Sequence, residues 1–302
     1  DRMTVPWKRI KGYLRQTVSV FLNDDRVFIC FVFLFAFTIR AAFAFSLNKA
    51  DLDPTLLGGP DSGVYDDVGW KLASGLRELT DPSLNIYAHN AGPGLFYALV
   101  YKVFGHRPDI VRYIHALLSA VSIVFLFRLG VVWFGPLAAR IGALLVAGRG
   151  YLIIYGTYLG SEALGLFILS LMLAILSRIQ HESRELESPG SKWYALVGGC
   201  LMGALILTRP EYQGFAVIGA LWLLRMVRRC RTQVLAGWII GILLLTIPLM
   251  ARNYTAHGRF RLNKPEVIQT AYNMPSLDKE VGFIPLGVFD GRYIRNTVSF
   301  IV

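Results

Sequence analysis

Cysteine is scarce in this 302-residue chain, and so is negative charge. The three cysteines, Cys30, Cys200 and Cys230, lie in or beside apolar runs and make no C-x-x-C pair. That spacing argues against a disulfide framework and a cysteine-ligated zinc site, and predicts buried, inert thiols. Asp and Glu number 20 against 31 Lys and Arg, a formal net charge of +11. In a soluble protein that excess would point to nucleic acid, yet there is no zinc finger, RNA-binding signature or base-reading basic helix. His, Cys, Asp and Glu show no metal-ligand clustering either.

What the chain has in quantity is hydrocarbon. Hydrophobic residues make up 54% of it, charged residues only 17%, and the mean hydropathy is +0.48. Apolar runs near the length needed to cross a bilayer predict an all-α polytopic membrane protein. Aromatics at 13% suit membrane-interface belts. Seven spans are predicted: Val27–Leu47, Ile110–Phe127, Leu137–Ala147, Ala163–Leu176, Trp193–Thr208, Tyr212–Leu224 and Val234–Met250. The third is open to continuation through "YLIIYGTYLG". The first run is long and lacks a small-residue cleavage site, so it reads as an uncleaved span rather than a signal peptide. "GPGLFYALVYKVFG", Gly92 to Gly105, is too short to cross and reads as an interfacial or re-entrant helix.

Charge orients the spans. With the N-terminus inside, short cytoplasmic loops hold nine basic residues: Arg128, Arg140, Arg178, Arg184, Lys192, Arg225, Arg228, Arg229 and Arg231. Short outer loops hold two, Arg149 and Arg209, as the positive-inside rule requires. The expected organisation is a cytoplasmic basic segment over 1–26, a membrane module over 27–251 with a first outer loop at 48–109, and an outer tail over 252–302. "TVSFIV" reads as the start of a further span.

On this topology the polar residues collect on one side. Asp61, Asp66, Asp67, His89, Glu162, Arg209, Glu211 and Arg252 all fall at or near the outer face, with Arg40 near the outer end of the first span. Arginines suit an anionic group such as phosphate, and a carboxylate suits proton abstraction from a hydroxyl. A phosphate-linked substrate in a membrane is a lipid phosphate. Asp61 precedes a stretch where Val64, Val68 and Leu72 recur at helical spacing, so helix N-capping is its alternative role. Asp66 and Asp67 read as a solvated helix face.

The order of motifs resembles the GT-C class of membrane glycosyltransferases, most closely the branch of protein O-mannosyltransferases and the lipid A aminoarabinose transferase. "PDSGVYDDVGWKLASG" resembles the family's D-x-x-x-Y-x-x-x-A helix through Asp61 and Tyr65, with Gly69 where alanine is expected and Ser62 where Glu often follows the Asp. "GPGLFYALVYKVFGHRPDIVRYIHALLSA" is similar to a proline-led segment closing in Phe-Gly. Gly92 stands where a lysine or proline is usual, with His89 and Asn90 as the nearby polar residues. Glu162 matches a frequent acidic position, "LILTRPEY" the family's Arg-Pro, and "IPLMARNYTAHGRF" its Arg-Asn segment, with Leu249 in place of Trp.

The resemblance implies transfer of a sugar from a polyprenyl-phosphate donor to a hydroxyl acceptor outside the membrane. Asp61 would be the general base. Tyr65, Glu162, Arg40, His89, Arg209 and Arg252 would bind substrate. It implies no resident cofactor or metal, the lipid-linked sugar being a co-substrate; some GT-C relatives use a divalent ion. Expected partners are that donor, membrane lipids and a membrane protein, with no nucleic acid. The expected location is a plasma (inner) membrane, or the endoplasmic reticulum in a eukaryote. Rival readings are a noncatalytic subunit of the same fold and a transporter; the latter would show mid-membrane ionisable groups and repeated halves. "NYT" at Asn253 matches a glycosylation sequon.

Overall fold

The computed structural model describes residues 24–49, 60–84, 90–185, 190–227, 231–260 and 262. Residues 1–23, His89, Cys230 and the tail beyond 262 lie outside the described residues.

Every regular element among the described residues is helical. In chain order they are α1 (Asp25–Lys49), α2 (Pro60–Ala73), α3 (Ala91–Phe104), α4 (Pro108–Phe134), α5 (Pro136–Gly148), α6 (Gly150–Tyr155), α7 (Glu162–Glu185) and α8 (Gly190–Thr208). A 3-10 turn at Pro210–Tyr212, α9 (Gln213–Met226) and α10 (Arg231–His257) follow. Four stretches are long and apolar enough to cross a membrane: α1, α4, Glu162–Ile179 of α7, and α10. Helices α5 and α8 are apolar but shorter. The protein is a polytopic all-α membrane protein. Large apolar side chains such as Leu34, Leu145, Ile218 and Leu244 are exposed along these helices, as a bilayer solvent requires.

Several boundaries differ from expectation: α7 runs on to Glu185 and α10 to His257, past the expected Leu176 and Met250. The second span runs on to Phe134, where Gly135 with φ of 85° takes the left-handed turn that ends it. The third does not continue through "YLIIYGTYLG": extended backbone at Arg149 ends α5, and α6 restarts as a separate short helix. Helix α3, at 14 residues, reaches about 21 Å against the roughly 30 Å of a hydrocarbon core. It packs on α2 instead of crossing.

Helix pairing rests on small residues. Gly199 and Gly203 of α8 face Trp238, Ile242 and Leu245 of α10, while Gly237 and Gly241 of α10 face Lys192, Leu196 and Cys200. A Cβ on Gly203 would sit 3.0 Å from the Ile242 carbonyl, and one on Gly241 2.6 Å from the Cys200 nitrogen. Two G-x-x-x-G patterns thus let backbones meet where lipid gives no hydrophobic drive. This pairing carries the Arg209 and Arg252 ends of the two helices to the same end of the bundle. At the opposite end Arg140 donates to Asp25 at 2.5 Å and lies over the Phe28 ring.

The cysteines depart in part from their expected burial. Cys30 lies exposed on α1, on a surface that lipid would cover, and Cys200 is half-buried beside Gly241. Asn253 is fully buried, its amide donating to the Leu262 carbonyl at 2.9 Å, so the "NYT" sequon is closed to modification.

Candidate active site

Helix α2 begins at Pro60, a residue suited to a first helical position because the missing N–H costs nothing there. Asp61 is therefore inside the first turn rather than capping it. Its exposed carboxylate stands where the helix macrodipole favours negative charge. One turn on, Tyr65 turns inward and is 3% exposed, packed with Tyr97, Tyr101, Val111 and Leu159. Val64, Val68 and Leu72 face a second cluster formed with Leu84, Ala91 and Leu249. The predicted apolar stripe is the face that seats α2.

Two glycines permit that seat. A Cβ on Gly69 would meet the Tyr97 Cβ at 2.7 Å, and one on Gly94 would meet a Val68 methyl at 2.7 Å. Gly92 lies against Thr208 at the end of α8, where a Cβ would come within 2.6 Å of the hydroxyl and 2.7 Å of the Cα. The departures from the resembled pattern at Gly69, Gly92 and Ser62 each have a physical reason. The first two sit at backbone contacts too close for a side chain, and Ser62 is fully buried where a Glu would need a partner.

Glu162 is placed from another direction. The turn from Gly156 to Ser161 is pinned by His115 Nδ1 donating to the Tyr158 carbonyl at 2.6 Å and Tyr97 Oη donating to the Gly160 carbonyl at 3.3 Å. Leu159 is buried beneath it. Glu162 then opens α7, half-exposed, in the first turn. Arg209 follows the end of α8, held by its N–H on the Leu205 carbonyl, and its guanidinium lies 3.5 Å from Glu162. That separation is long for a charge-assisted hydrogen bond. It is the ion pair recorded for this arginine among the described residues.

These groups converge around Tyr65. Its phenol accepts from Asn90 Nδ2 at 3.4 Å. Burial holds that phenol well above its ordinary range, with the Asp61 and Glu162 carboxylates reinforcing the shift and Asn90 and Arg209 opposing it. Asp61, Tyr65, Asn90, Glu162 and Arg209, from four segments remote in sequence, therefore share one electrostatic neighbourhood. Asn90 was marked in the sequence only by standing beside His89.

The other two predicted arginines are placed elsewhere. Arg40 is fully buried and gives its donors to Ser119 Oγ (2.9 Å) and the carbonyls of Ala147 (3.0 Å), Ala36 (3.2 Å) and Val146 (3.4 Å). Two of those carbonyls belong to the last turn of α5, a natural seat for a cation. Arg252, 5% exposed, donates to the carbonyls of Leu79 (2.7 Å) and Asp81 (2.6 Å) and to Asn253 Oδ1 (2.9 Å). It pins the 79–84 turn to the end of α10.

Asp66 and Asp67 do not share a role, which corrects the solvated-face reading. Asp67 is exposed and pairs with Lys71 at 2.6 Å. Asp66 is 15% exposed, accepts from the Tyr101 hydroxyl, and lies 3.0 Å from His106 Nε2. Trp70 stacks on that imidazole with centroids 5.0 Å apart. Burial and Asp66 together push the Tyr101 phenol well up. The cluster latches α2 to α3 beside the candidate site. Nothing in the helical periodicity separates the two aspartates; only their partners do.

Residues 89–251, more than half of the chain, match the family model described as dolichyl-phosphate-mannose-protein mannosyltransferase. The chain belongs to this family. It is a membrane glycosyltransferase by that membership, and the family implies a polyprenyl-phosphate-linked sugar donor. The matched stretch contains Asn90, Glu162 and Arg209; Asp61 and Tyr65 precede it. No curated protein and no solved structure matches the chain.

Proposed function

We propose that this protein transfers a sugar from a polyprenyl-phosphate donor to a hydroxyl acceptor on the outer face of its membrane, with Asp61 as the general base. The observation that carries the reading is the convergence of Asp61, Tyr65, Glu162 and Arg209 at one end of the bundle. Asp61 is accessible to an acceptor. Arg209 has donors to spare for a phosphate, whereas Arg40 and Arg252 are spent on backbone carbonyls.

The acceptor oxygen attacks C1 of the donor sugar while its proton passes to Asp61. The bond from C1 to the phosphate oxygen breaks, and polyprenyl phosphate leaves as a stabilised anion against Arg209. A good anionic leaving group removes the need for the second, acidic carboxylate that glycoside hydrolysis uses. Tyr65, kept protonated by burial, does not compete for the proton. Glu162 holds Arg209 loosely and releases it to the incoming phosphate.

The test is transfer in membranes supplied with polyprenyl-phosphate sugars. Asp61→Asn is expected to lose at least about a hundredfold in rate, the scale of a general base, while still binding donor. Full transfer by Asp61→Asn would remove the base assignment. Wild-type protein that turns over no donor, yet binds a partner membrane protein, would favour the noncatalytic subunit.

A further inference from the structure

Three tyrosines recur along α6 and the turn after it: Tyr151, Tyr155 and Tyr158. Their rings form a ladder. The Tyr151 and Tyr155 centroids are 4.2 Å apart at 37°, and those of Tyr155 and Tyr158 are 5.9 Å apart at 54°. Tyr151 is 60% exposed, while Tyr155 is half-buried. The lower end is fixed, because the Tyr158 carbonyl takes the His115 hydrogen bond.

The turn that follows the ladder reaches the candidate site, its Leu159 packing in one cluster with Tyr65. Tyr155 feels the Glu162 carboxylate, which raises its phenol along with the larger effect of burial and a hydrogen bond to Tyr151. Glu162 in turn faces Arg209 at 3.5 Å. A membrane-interface belt also collects tyrosine. A belt residue needs only a wet edge, however, and neither ring stacking in series nor a nearby carboxylate at the site.

We propose that Tyr155, backed by Tyr151, is the platform that binds the sugar ring of the lipid-linked donor. This deepens the reading above and rests on Arg209 taking the donor phosphate. A sugar is joined to its phosphate through a single oxygen, so the ring must lie in the space bordering Arg209. Glu162 borders that space, and Tyr155 stands at the head of the turn whose Leu159 packs in the Tyr65 cluster. A pyranose has an apolar C–H face and a rim of hydroxyls. A tyrosine offers an apolar ring with a polar tip, and Glu162 offers an acceptor for a sugar hydroxyl.

The test compares binding of polyprenyl phosphate with binding of its mannosyl, glucosyl and galactosyl forms, to full-length protein in lipid nanodiscs. Wild type is expected to prefer one sugar-bearing lipid over the bare phosphate by about tenfold, the scale of one aromatic stack. Tyr155→Ala abolishes that preference and leaves bare polyprenyl phosphate binding unchanged. Tyr155→Phe keeps most of it. Arg209→Gln weakens all four lipids together. A full sugar preference in Tyr155→Ala and Tyr151→Ala would overturn the platform while leaving the transfer reading intact. Equal loss of the bare lipid in Tyr155→Ala would also overturn it, because the residue would then serve the fold or the phosphate. Absence of binding to any of the lipids by wild type would instead overturn the donor reading itself.

Discussion

Gly69 occupies the position where alanine is expected, so Gly69→Ala tests whether packing or pattern governs α2. Two effects oppose each other. Alanine in a helix interior is favoured over glycine by about 0.5–1 kcal/mol. Against that, the new Cβ would sit 2.7 Å from the Tyr97 Cβ and 3.3 Å from the Ala98 nitrogen. Carbon atoms rest about 3.5–4.0 Å apart, so α2 and α3 must separate locally by about 1 Å. Overpacking of this kind costs about 1–3 kcal/mol, leaving a net loss of about 0–2.5 kcal/mol. The catalytic consequence is larger. Asp61 and Tyr65 ride on α2, and if Asp61 is the base proposed above, a shift of about 1 Å can cost about a hundredfold. Thermal unfolding in detergent should change by a few degrees, while transfer with polyprenyl-phosphate sugar falls steeply at unchanged donor affinity. If Gly69→Ala is as active as wild type and more stable, the close approach of the helices does not constrain Asp61.

Other perturbations separate roles that look alike in the sequence. Arg252→Met should destabilise the fold by about 3–6 kcal/mol, since two charge-assisted bonds to backbone carbonyls are lost, with donor affinity of the folded fraction unchanged. Arg209→Gln should do the reverse, as read by denaturation and lipid binding on the same samples. Asp66→Ala should cost about 1–3 kcal/mol by leaving Tyr101 unpartnered, whereas Asp67→Ala should stay within about 0.5 kcal/mol. The phenols of Tyr65, Tyr97 and Tyr101 are all raised, chiefly by burial. The native state therefore holds these protons at pH values where the unfolded chain has lost them. Stability is fully present below the ordinary tyrosine value of about 10 and declines as pH rises above it. A phenolate absorbance titration should find these three of the 14 tyrosines silent until the protein unfolds.

Much of the architecture was legible because a bilayer forces helices to be read from hydropathy alone. The apolar stripe of Val64, Val68 and Leu72 correctly marked the buried face of α2. Helix ends set by backbone turns were harder: Gly135 and Arg149 decide where α4 and α5 stop, and hydropathy does not register either. The close contacts at Gly69, Gly92 and Gly241 were invisible, since a glycine reveals nothing about what approaches it. Asp66 and Asp67 are adjacent and chemically identical. Their difference arises from Tyr101 and His106, residues 35 and 40 positions away.

The arginines show why composition can find a site without assigning it. Charge sorting placed Arg40, Arg209 and Arg252 near one face, and on that evidence all three were equal candidates for a phosphate. A guanidinium has five N–H donors in a fixed plane, and a phosphate needs two or more of them pointing into the same accessible space. Arg40 and Arg252 meet the opposite condition: both are buried, and their donors are taken up inside the fold, several of them by carbonyls at a helix terminus or a turn. Such carbonyls would be costly to abandon in a low-dielectric setting, so neither side chain can swing out to a ligand cheaply. Arg209 has only the loose contact with Glu162 to exchange, so on the reading proposed above the donor's phosphodiester anion would compete for it. The separation between a structural and a substrate-binding arginine is therefore a question of which donors are already occupied, and that information exists only once the chain has folded.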